Sequence, residues 1–164
     1  MKLPRSLFLA LAYLALFNPV AAHEVTAKGF KISHPWVRAT PKGMSVTAGY
    51  AKITNTGKEA DKLLGASMEG VEKAELHTTI MEGDVAKMRP LAEGLVIGPG
   101  ETVELKTSGA HIMFMGVAKP LVADSYMPGT LVFEKAGKVD IEFAVAPVGG
   151  ADAKADAEHE HHHH

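Results

Sequence analysis

The stretch that decides the fold is Thr47-Ala48-Gly49-Tyr50-Ala51-Lys52-Ile53, which the turn residues Asn55-Thr56-Gly57 follow closely. Its residues alternate in character, and successive side chains of a β-strand point to opposite faces of a sheet. Asn and Gly are favoured where the chain turns sharply. We therefore predict a half-buried β-strand that ends at this turn.

The same pattern continues outward in both directions. No segment after residue 22 keeps a helical period for more than about two turns, and turn signals such as Gly98-Pro99-Gly100 separate short β-prone runs. Strands spaced about 8–12 residues apart are typical of antiparallel sandwiches and barrels. Trp36 is expected to anchor the core. We predict an all-β fold from the runs 30–33, 35–38, 47–53, 71–80, 85–88, 95–97, 102–105, 111–117, 130–134 and 139–145.

The first 22 residues have the features of a secretory signal. Lys2 and Arg5 give a positive start, residues 6–17 are almost all apolar, and Val20-Ala21-Ala22 supplies the small residues that a signal peptidase accepts. The apolar run is shorter than the roughly 20 residues that cross a bilayer as a helix. We predict a cleaved signal peptide over residues 1–22, no remaining transmembrane segment, and an exported protein.

The mature chain divides into a domain and a tail. Residues 23–148 contain all the β-prone runs and are long enough for one ordinary domain. Gly149-Gly150 then opens a stretch of Ala, Asp, Lys and Glu that ends in several histidines. Because residues 149–164 have no apolar face to bury, they are predicted to be a disordered His-rich tail.

The composition excludes several kinds of chemistry. The chain has no cysteine, which excludes thiol catalysis, zinc ribbons, iron–sulfur clusters, blue-copper sites and a lipid-modified cysteine after the signal. It carries 17 basic and 19 acidic residues without a basic patch, so nucleic acid is not an expected partner. No catalytic triad, paired acids, phosphate loop or dinucleotide fingerprint stands out, and we do not expect an enzyme.

The sharpest local pattern is His111-Ile112-Met113-Phe114-Met115. Residues two apart on a strand share a face. His111 and Met113 can therefore present an imidazole and a thioether to one point, while Ile112 and Phe114 face the core. Ten residues separate His77 from Met88 across a Gly-containing turn, a spacing that lets two adjacent strands bring them together.

Imidazole combined with thioether favours Cu(I), because a thioether is soft and uncharged, whereas zinc more usually takes cysteine or carboxylate. Two His and two Met would form a near-tetrahedral Cu(I) site that could yield its ion to a thiolate-rich acceptor. Methionine in a strand is also ordinary core filling, and an isolated histidine often only makes a hydrogen bond. On spacing alone, a copper site and a metal-free interaction module both remain open.

Several segments resemble the periplasmic copper chaperone family called PCuAC. They are Trp36-Val37-Arg38-Ala39-Thr40-Pro41, Ala48-Gly49-Tyr50, His77 with Met88-Arg89-Pro90, and His111-Ile112-Met113-Phe114-Met115-Gly116. The gaps from His to Met and from Met to His-x-Met are ten and 22 residues here, the second being one residue longer than is usual. The resemblance covers about residues 30–145.

This resemblance implies a cupredoxin-like Greek-key β-sandwich that binds Cu(I) and helps to load copper into cytochrome c oxidase. The implied ligands are His77, Met88, His111 and Met113. Many members carry further methionines where this chain has Thr79 and Ala86, which leaves a thinner methionine relay around the site.

Met81 and Met115 are the remaining candidates for such a relay. We interpret both as outer neighbours of the site or as core residues rather than as ligands.

The histidine-rich end has three interpretations: a purification tag, a solvated tail without a role, or a capture site for Cu(II) or Zn(II). Four terminal histidines behind His159-Glu160, in a chain that keeps its signal, fit a tag poorly. We favour capture, because clustered imidazoles bind both ions. The secondary Cu(II) candidates are His159, His161, His162, His163 and His164.

His23, as a free N-terminus, could also hold Cu(II) through its amine and imidazole. Nothing else in the sequence supports oxygenase chemistry at that residue, and an exposed terminus without a role is the commoner outcome.

Together these features predict a monomeric periplasmic metallochaperone. It delivers Cu(I) by ligand exchange to the copper-site subunit of cytochrome c oxidase or to another copper-assembly protein. The alternative is a periplasmic protein for copper buffering or resistance, which would use the same site without a dedicated acceptor.

Overall fold

The computed structural model describes residues 24–149, which form eleven β-strands. They are β1 Glu24–Ala27, β2 Phe30–Arg38, β3 Val46–Asn55, β4 Asp61–Met68, β5 Val71–Glu82, β6 Val85–Pro90, β7 Leu95–Ile97, β8 Thr102–Leu105, β9 Ala110–Val117, β10 Tyr126–Phe133 and β11 Gly137–Ala146. This part of the chain contains no helix long and apolar enough to span a membrane. The predicted all-β class is confirmed.

The strands follow one continuous order, β6-β5-β9-β3-β2-β11-β10-β4-β7, with β1 added beside β2 and β8 beside β3. β2 and β11 pair in parallel, and the other ladders are antiparallel. Aromatic rings connect strands that are not hydrogen-bonded to each other. Phe30 stacks on Phe133 with ring centroids 3.8 Å apart, and Phe114 packs edge-on against Phe143 with centroids 5.4 Å apart. The sheet therefore closes around one core, as a β-sandwich does.

Tight turns set the register of two hairpins. Lys28 and Gly29 join β1 to β2 with φ of 51° and 80°, as a type I′ turn requires. Gly83, with φ of 63°, begins the turn that joins β5 to β6. Because this second turn is short, the register places His77 opposite Pro90 and Thr79 opposite Met88.

The predicted strand 47–53 lies within β3, in the middle of the sheet. Gly49 of this strand faces the core, and a Cβ at that position would come within 2.6 Å of the Phe114 ring. The absence of a side chain at Gly49 thus leaves room for Phe114, which is fully buried. Phe114 in turn anchors β9, the strand of the His-x-Met pattern.

Trp36 does not anchor the core, so that expectation is wrong. It is half-buried and packs against Tyr50, with ring centroids 4.3 Å apart, on the face turned away from the core. A β-bulge between Ser33 and Trp36, where His34 has φ of 50°, shifts the alternation by one residue. Ile32 faces the core before the bulge, whereas Val37, not Trp36, faces it afterwards.

Asp61 ties β4 to the turn between β10 and β11. Its Oδ1 accepts the backbone N–H groups of Lys62 at 2.7 Å and Lys135 at 2.9 Å, and its Oδ2 accepts that of Ala136 at 2.9 Å. Burial acts to raise the pKa of Asp61, but these three donors outweigh it and the pKa is lowered. The ionised carboxylate is therefore a structural link at the end of the strand order opposite to β6.

Candidate metal centre

His77 of β5 and His111 of β9 lie directly opposite each other in the antiparallel ladder. Their ring centroids are 6.2 Å apart. Their strand neighbours Leu76 and Ile112 are buried in the core, so both imidazoles lie on the outer face of the sheet. The two histidines singled out in the sequence are thus neighbours across one ladder.

Met113 and Met88 lie on the same face, on opposite sides of this pair. Met113 follows His111 by two residues on β9. Met88 of β6 lies opposite Thr79, two residues beyond His77 on β5, and diagonal neighbours of this kind are about 7–8 Å apart. Three adjacent strands therefore carry all four predicted ligands on one face.

His111 is held by the main chain. The residue is 3% exposed, and its Nδ1 lies 3.0 Å from the carbonyl oxygen of Gly109. A carbonyl oxygen only accepts, so in the neutral imidazole Nδ1 carries the proton and Nε2 keeps its lone pair. The same carbonyl accepts the backbone N–H of Thr79 at 3.1 Å, which secures it from β5, while Tyr50 packs beside the ring at 6.4 Å.

His77 is held by a side chain. Its Nε2 lies 3.0 Å from Oε2 of Glu75, whose Oε1 lies 2.5 Å from Nζ of Lys73. The hydrogen bond from Lys73, and then that from His77, lowers the pKa of Glu75 against the opposing effect of burial. The carboxylate is therefore ionised near neutral pH.

The four predicted ligands differ in exposure across the strands. His111 is buried, Met113 and His77 are half-buried, and Met88 is 60% exposed. Among the described strands, β6 lies at the edge of the sheet and pairs with β5 alone, and all six of its residues are exposed. The candidate centre is therefore open on the β6 side and closed on the β9 side.

The donors on this face suit a soft ion. Within residues 24–149, no three His, Cys, Asp or Glu side chains form a group that could hold a metal. A metal at the histidine pair would therefore need another kind of donor, and the sheet places the thioethers of Met113 and Met88 beside it. Imidazole and thioether together favour Cu(I) over hard cations.

Met81 and Met115, the relay candidates, lie on the same face but farther out. Met81 is opposite Ala86 near the hairpin end and is 64% exposed, and Met115 is half-buried opposite Lys73. Neither belongs to the core cluster. The core interpretation is therefore wrong for both, and their role as outer neighbours rather than ligands stays a prediction.

The sequence reasoning missed two residues at this centre, Glu75 and Tyr50. Glu75 precedes His77 by two residues, so the strand alternation alone could have placed it on the same face. Tyr50 reaches His111 from another strand, and no local signal predicts the β3–β9 register that brings them together.

His23 and the five histidines of the tail lie outside the described residues. The secondary Cu(II) site therefore stays a prediction, as do the domain boundaries after residues 22 and 148.

Comparisons with known proteins show which proteins this chain resembles. The profile of the family described as "Putative lipoprotein LpqE-like" matches residues 30–145. A putative lipoprotein, Lxx21020 of Leifsonia xyli subsp. xyli (strain CTCB07), is 30% identical over 149 residues, which are 90% of this chain and 89% of that protein.

Solved structures show the same fold. The copper-bound PCuAC domain from PmoF2 superposes with a TM-score of 0.65 and 26% identity, over 77% of this chain and 99% of that domain. The solution structure of CuI-DR1885 from Deinococcus radiodurans has a TM-score of 0.58 and 26% identity, over 77% of this chain and 83% of that one. The predicted cupredoxin-like β fold is thus confirmed.

Proposed function

Because this chain belongs to the LpqE-like family, which is of the PCuAC type, we propose that it is a copper-binding metallochaperone and not an enzyme. The observation that carries the proposal is the pairing of His77 with His111 on one outer face, with Met113 and Met88 beside them. The copper-bound PCuAC domain from PmoF2 and CuI-DR1885 support copper as the ion.

The proposed ligands of Cu(I) are His77, Met88, His111 and Met113. Two neutral imidazoles and two thioethers add no charge to the ion, so the bound copper keeps its single positive charge. Thioethers do not titrate, and they disfavour hard cations. The site therefore holds copper firmly while still allowing a stronger soft ligand to take it.

Transfer begins at the exposed side of the site. An acceptor ligand can replace Met88, which is 60% exposed, while His111 and Met113 still hold the ion. Each exchange then swaps one donor for another, so copper is not released into water. The acceptor we propose is the copper-site subunit of a respiratory oxidase or another copper-assembly protein, met in the periplasm.

Cu(I) titration of the apoprotein against a competing chelator tests the binding. One ion per chain is expected for the native protein, with a clear loss of affinity in Met113→Leu, which keeps the volume but removes the thioether. Met127→Leu on β10 is the matched control and should bind as the native protein does. Absence of Cu(I) binding to the native protein would contradict the function, and full affinity in Met113→Leu would contradict the site.

A transfer assay separates delivery from buffering. The Cu(I)-loaded protein is mixed with an apo copper-site domain of an oxidase, and the rate of copper movement is compared with the rate of spontaneous release. A chaperone transfers faster than it releases, because the acceptor takes the ion within a complex. Transfer no faster than release would support the buffering alternative.

A further inference from the structure

His77 and His111 are held through different ring nitrogens by different partners. His77 uses Nε2 towards Glu75, whereas His111 uses Nδ1 towards the carbonyl of Gly109, both at 3.0 Å. We infer that Glu75 is a positioning residue that makes His77 bind copper through Nδ1, while His111 binds through Nε2. This inference rests on the proposed function, since it takes both histidines as ligands.

The positions of the ring protons follow from the two acceptors. A neutral imidazole has one N–H and one lone pair, whereas a carboxylate and a carbonyl oxygen only accept. The nitrogen that faces each acceptor therefore carries the proton. The lone pair remains on Nδ1 of His77 and on Nε2 of His111, and these are the nitrogens available to a metal.

Glu75 is itself held in the orientation that this role needs. Its Oε1 contacts Nζ of Lys73 at 2.5 Å, which leaves Oε2 for His77. The three residues alternate along β5, so their side chains lie in a row on the outer face. Glu75 is also opposite Met113 in the β5–β9 ladder, which places its carboxylate beside the candidate centre.

Glu75 acts through His77 and not as a ligand. In the part of the chain that the structure describes, no carboxylate joins the two histidines in a group that could hold a metal. A carboxylate that accepts the N–H of a ligating imidazole fixes the ring and raises its basicity. Because Nδ1 is nearer to the main chain than Nε2, it keeps the ion close to β5.

Nuclear magnetic resonance of the protein labelled with ¹⁵N in its histidines tests the inference directly. Cu(I) is diamagnetic, so spectra of both the apo and the loaded protein can be recorded. Couplings between the ring nitrogens and the protons on the ring carbons then show which nitrogen is protonated. In the loaded native protein, we expect the proton of His77 on Nε2 and that of His111 on Nδ1. A loaded protein in which His77 carries its proton on Nδ1 would overturn the inference.

Variants show whether Glu75 is the cause. Glu75→Ala should expose the Nε2 proton of apo His77 to fast exchange and let His77 bind copper through Nε2 in part of the loaded molecules. Glu75→Gln keeps an accepting oxygen and should restore the native pattern, and Glu104→Ala on β8 is a matched control. An Nε2 proton and a copper linkage that stay native in Glu75→Ala would contradict the role of Glu75.

Copper affinity separates this inference from the proposed function. Loss of the hydrogen-bond partner of a metal-bound histidine typically lowers metal affinity by about 10–100-fold, and we expect a fall of about 10-fold in Glu75→Ala. No binding by the native protein would remove the proposed function as well. Native binding with an unchanged affinity in Glu75→Ala would contradict the inference alone.

Discussion

The inner pair, His111 and Met113, and the outer pair, His77 and Met88, offer the same donors in opposite surroundings. The inner pair lies on β9, which is hydrogen-bonded to β5 on one side and β3 on the other. The outer pair lies on β5 and on the edge strand β6. His111 is 3% exposed and Met88 is 60% exposed. The same two donor types are therefore more buried within the sheet at the inner pair and more exposed to solvent at the outer pair.

The hydrogen bonds follow the same division. The carbonyl that orients His111 belongs to the main chain and is itself secured by the N–H of Thr79. The carboxylate that orients His77 belongs to Glu75, whose side chain is 34% exposed and is shared with Lys73. A side-chain partner moves more easily than a main-chain one. This difference supports our proposal that the inner pair retains copper while the outer pair exchanges it.

The largest effect is expected from breaking the inner pair with His111→Ala. This change removes a ligand from the closed side of the site, so Cu(I) affinity should fall by more than the roughly 100-fold that losing a ligand's hydrogen-bond partner can cost. His77→Ala is the matched variant on the outer side, and its Cu(I) affinity should fall less. Chelator competition measures both, and thermal unfolding of the apo variants checks their fold. A greater loss in His77→Ala would reverse the comparison.

Met88→Leu sharpens the comparison at the outer pair. It removes the exposed thioether, and we expect Cu(I) affinity to fall by about 10-fold, no more than the smallest loss typical when a metal ligand loses its hydrogen-bond partner. The loss should arise mainly from faster release of Cu(I), measured by stopped-flow transfer to a chelator. Met81→Leu changes another exposed methionine of the same hairpin and serves as the control. A release rate equal to that of the control would argue against Met88 as the exchangeable ligand.

Asp61→Asn tests whether the far end of the sheet is independent of the site. The side-chain amide leaves one of the backbone donors to Asp61 without its acceptor, which typically costs about 1–3 kcal/mol of unfolding free energy. Denaturant unfolding of the apoprotein measures this loss, while Cu(I) affinity should stay unchanged. A matching fall in copper affinity would show that the two ends of the strand order are coupled.

The same residue predicts a pH dependence. The pKa of Asp61 is lowered in the folded protein. Its contribution to the free energy of unfolding is therefore fully present above the unfolded pKa of about 3.9 and is lost as the pH falls through the folded pKa. The difference in stability between the native protein and Asp61→Asn should therefore be constant near neutral pH and shrink in acid. A difference that grows as the pH falls below about 4 would contradict this assignment.

The smallest effect on the main site is expected from deleting residues 150–164. The predicted ligands of Cu(I) all lie within the sandwich, so Cu(I) affinity should not change. If the terminal histidines capture Cu(II), the deletion should remove one class of Cu(II) site in a calorimetric titration. An unaltered Cu(II) stoichiometry would contradict the capture prediction.

The alternation of side chains along single strands, together with turn residues, predicted much of the fold and of the site. The strand 47–53, the Gly83 turn and the shared face of His111 and Met113 all follow from neighbouring residues. Glu75 was within reach of the same rule, because it precedes His77 by two residues. These features are local, so no knowledge of the sheet order is needed to see them.

The features that the sequence could not predict depend on contacts between distant segments. The parallel pairing of β2 with β11 and the contact of Tyr50 with His111 need the order of strands in the sheet. The bulge beside His34 shifts Trp36 to the outer face. The sequence around it fits a strand with Trp36 on either face, so the shift cannot be predicted from it. The joining of His77 and Met88 to the inner pair came from the family resemblance, and the β5–β6 and β5–β9 registers place them on the same face.

X-ray absorption at the copper edge tests the central claim most directly. Measured on the one-to-one Cu(I) complex, it counts the nitrogen and sulfur atoms around the ion. The account predicts two nitrogen and two sulfur neighbours, and the loss of one sulfur in Met88→Leu. A spectrum without sulfur neighbours in the native complex would contradict it.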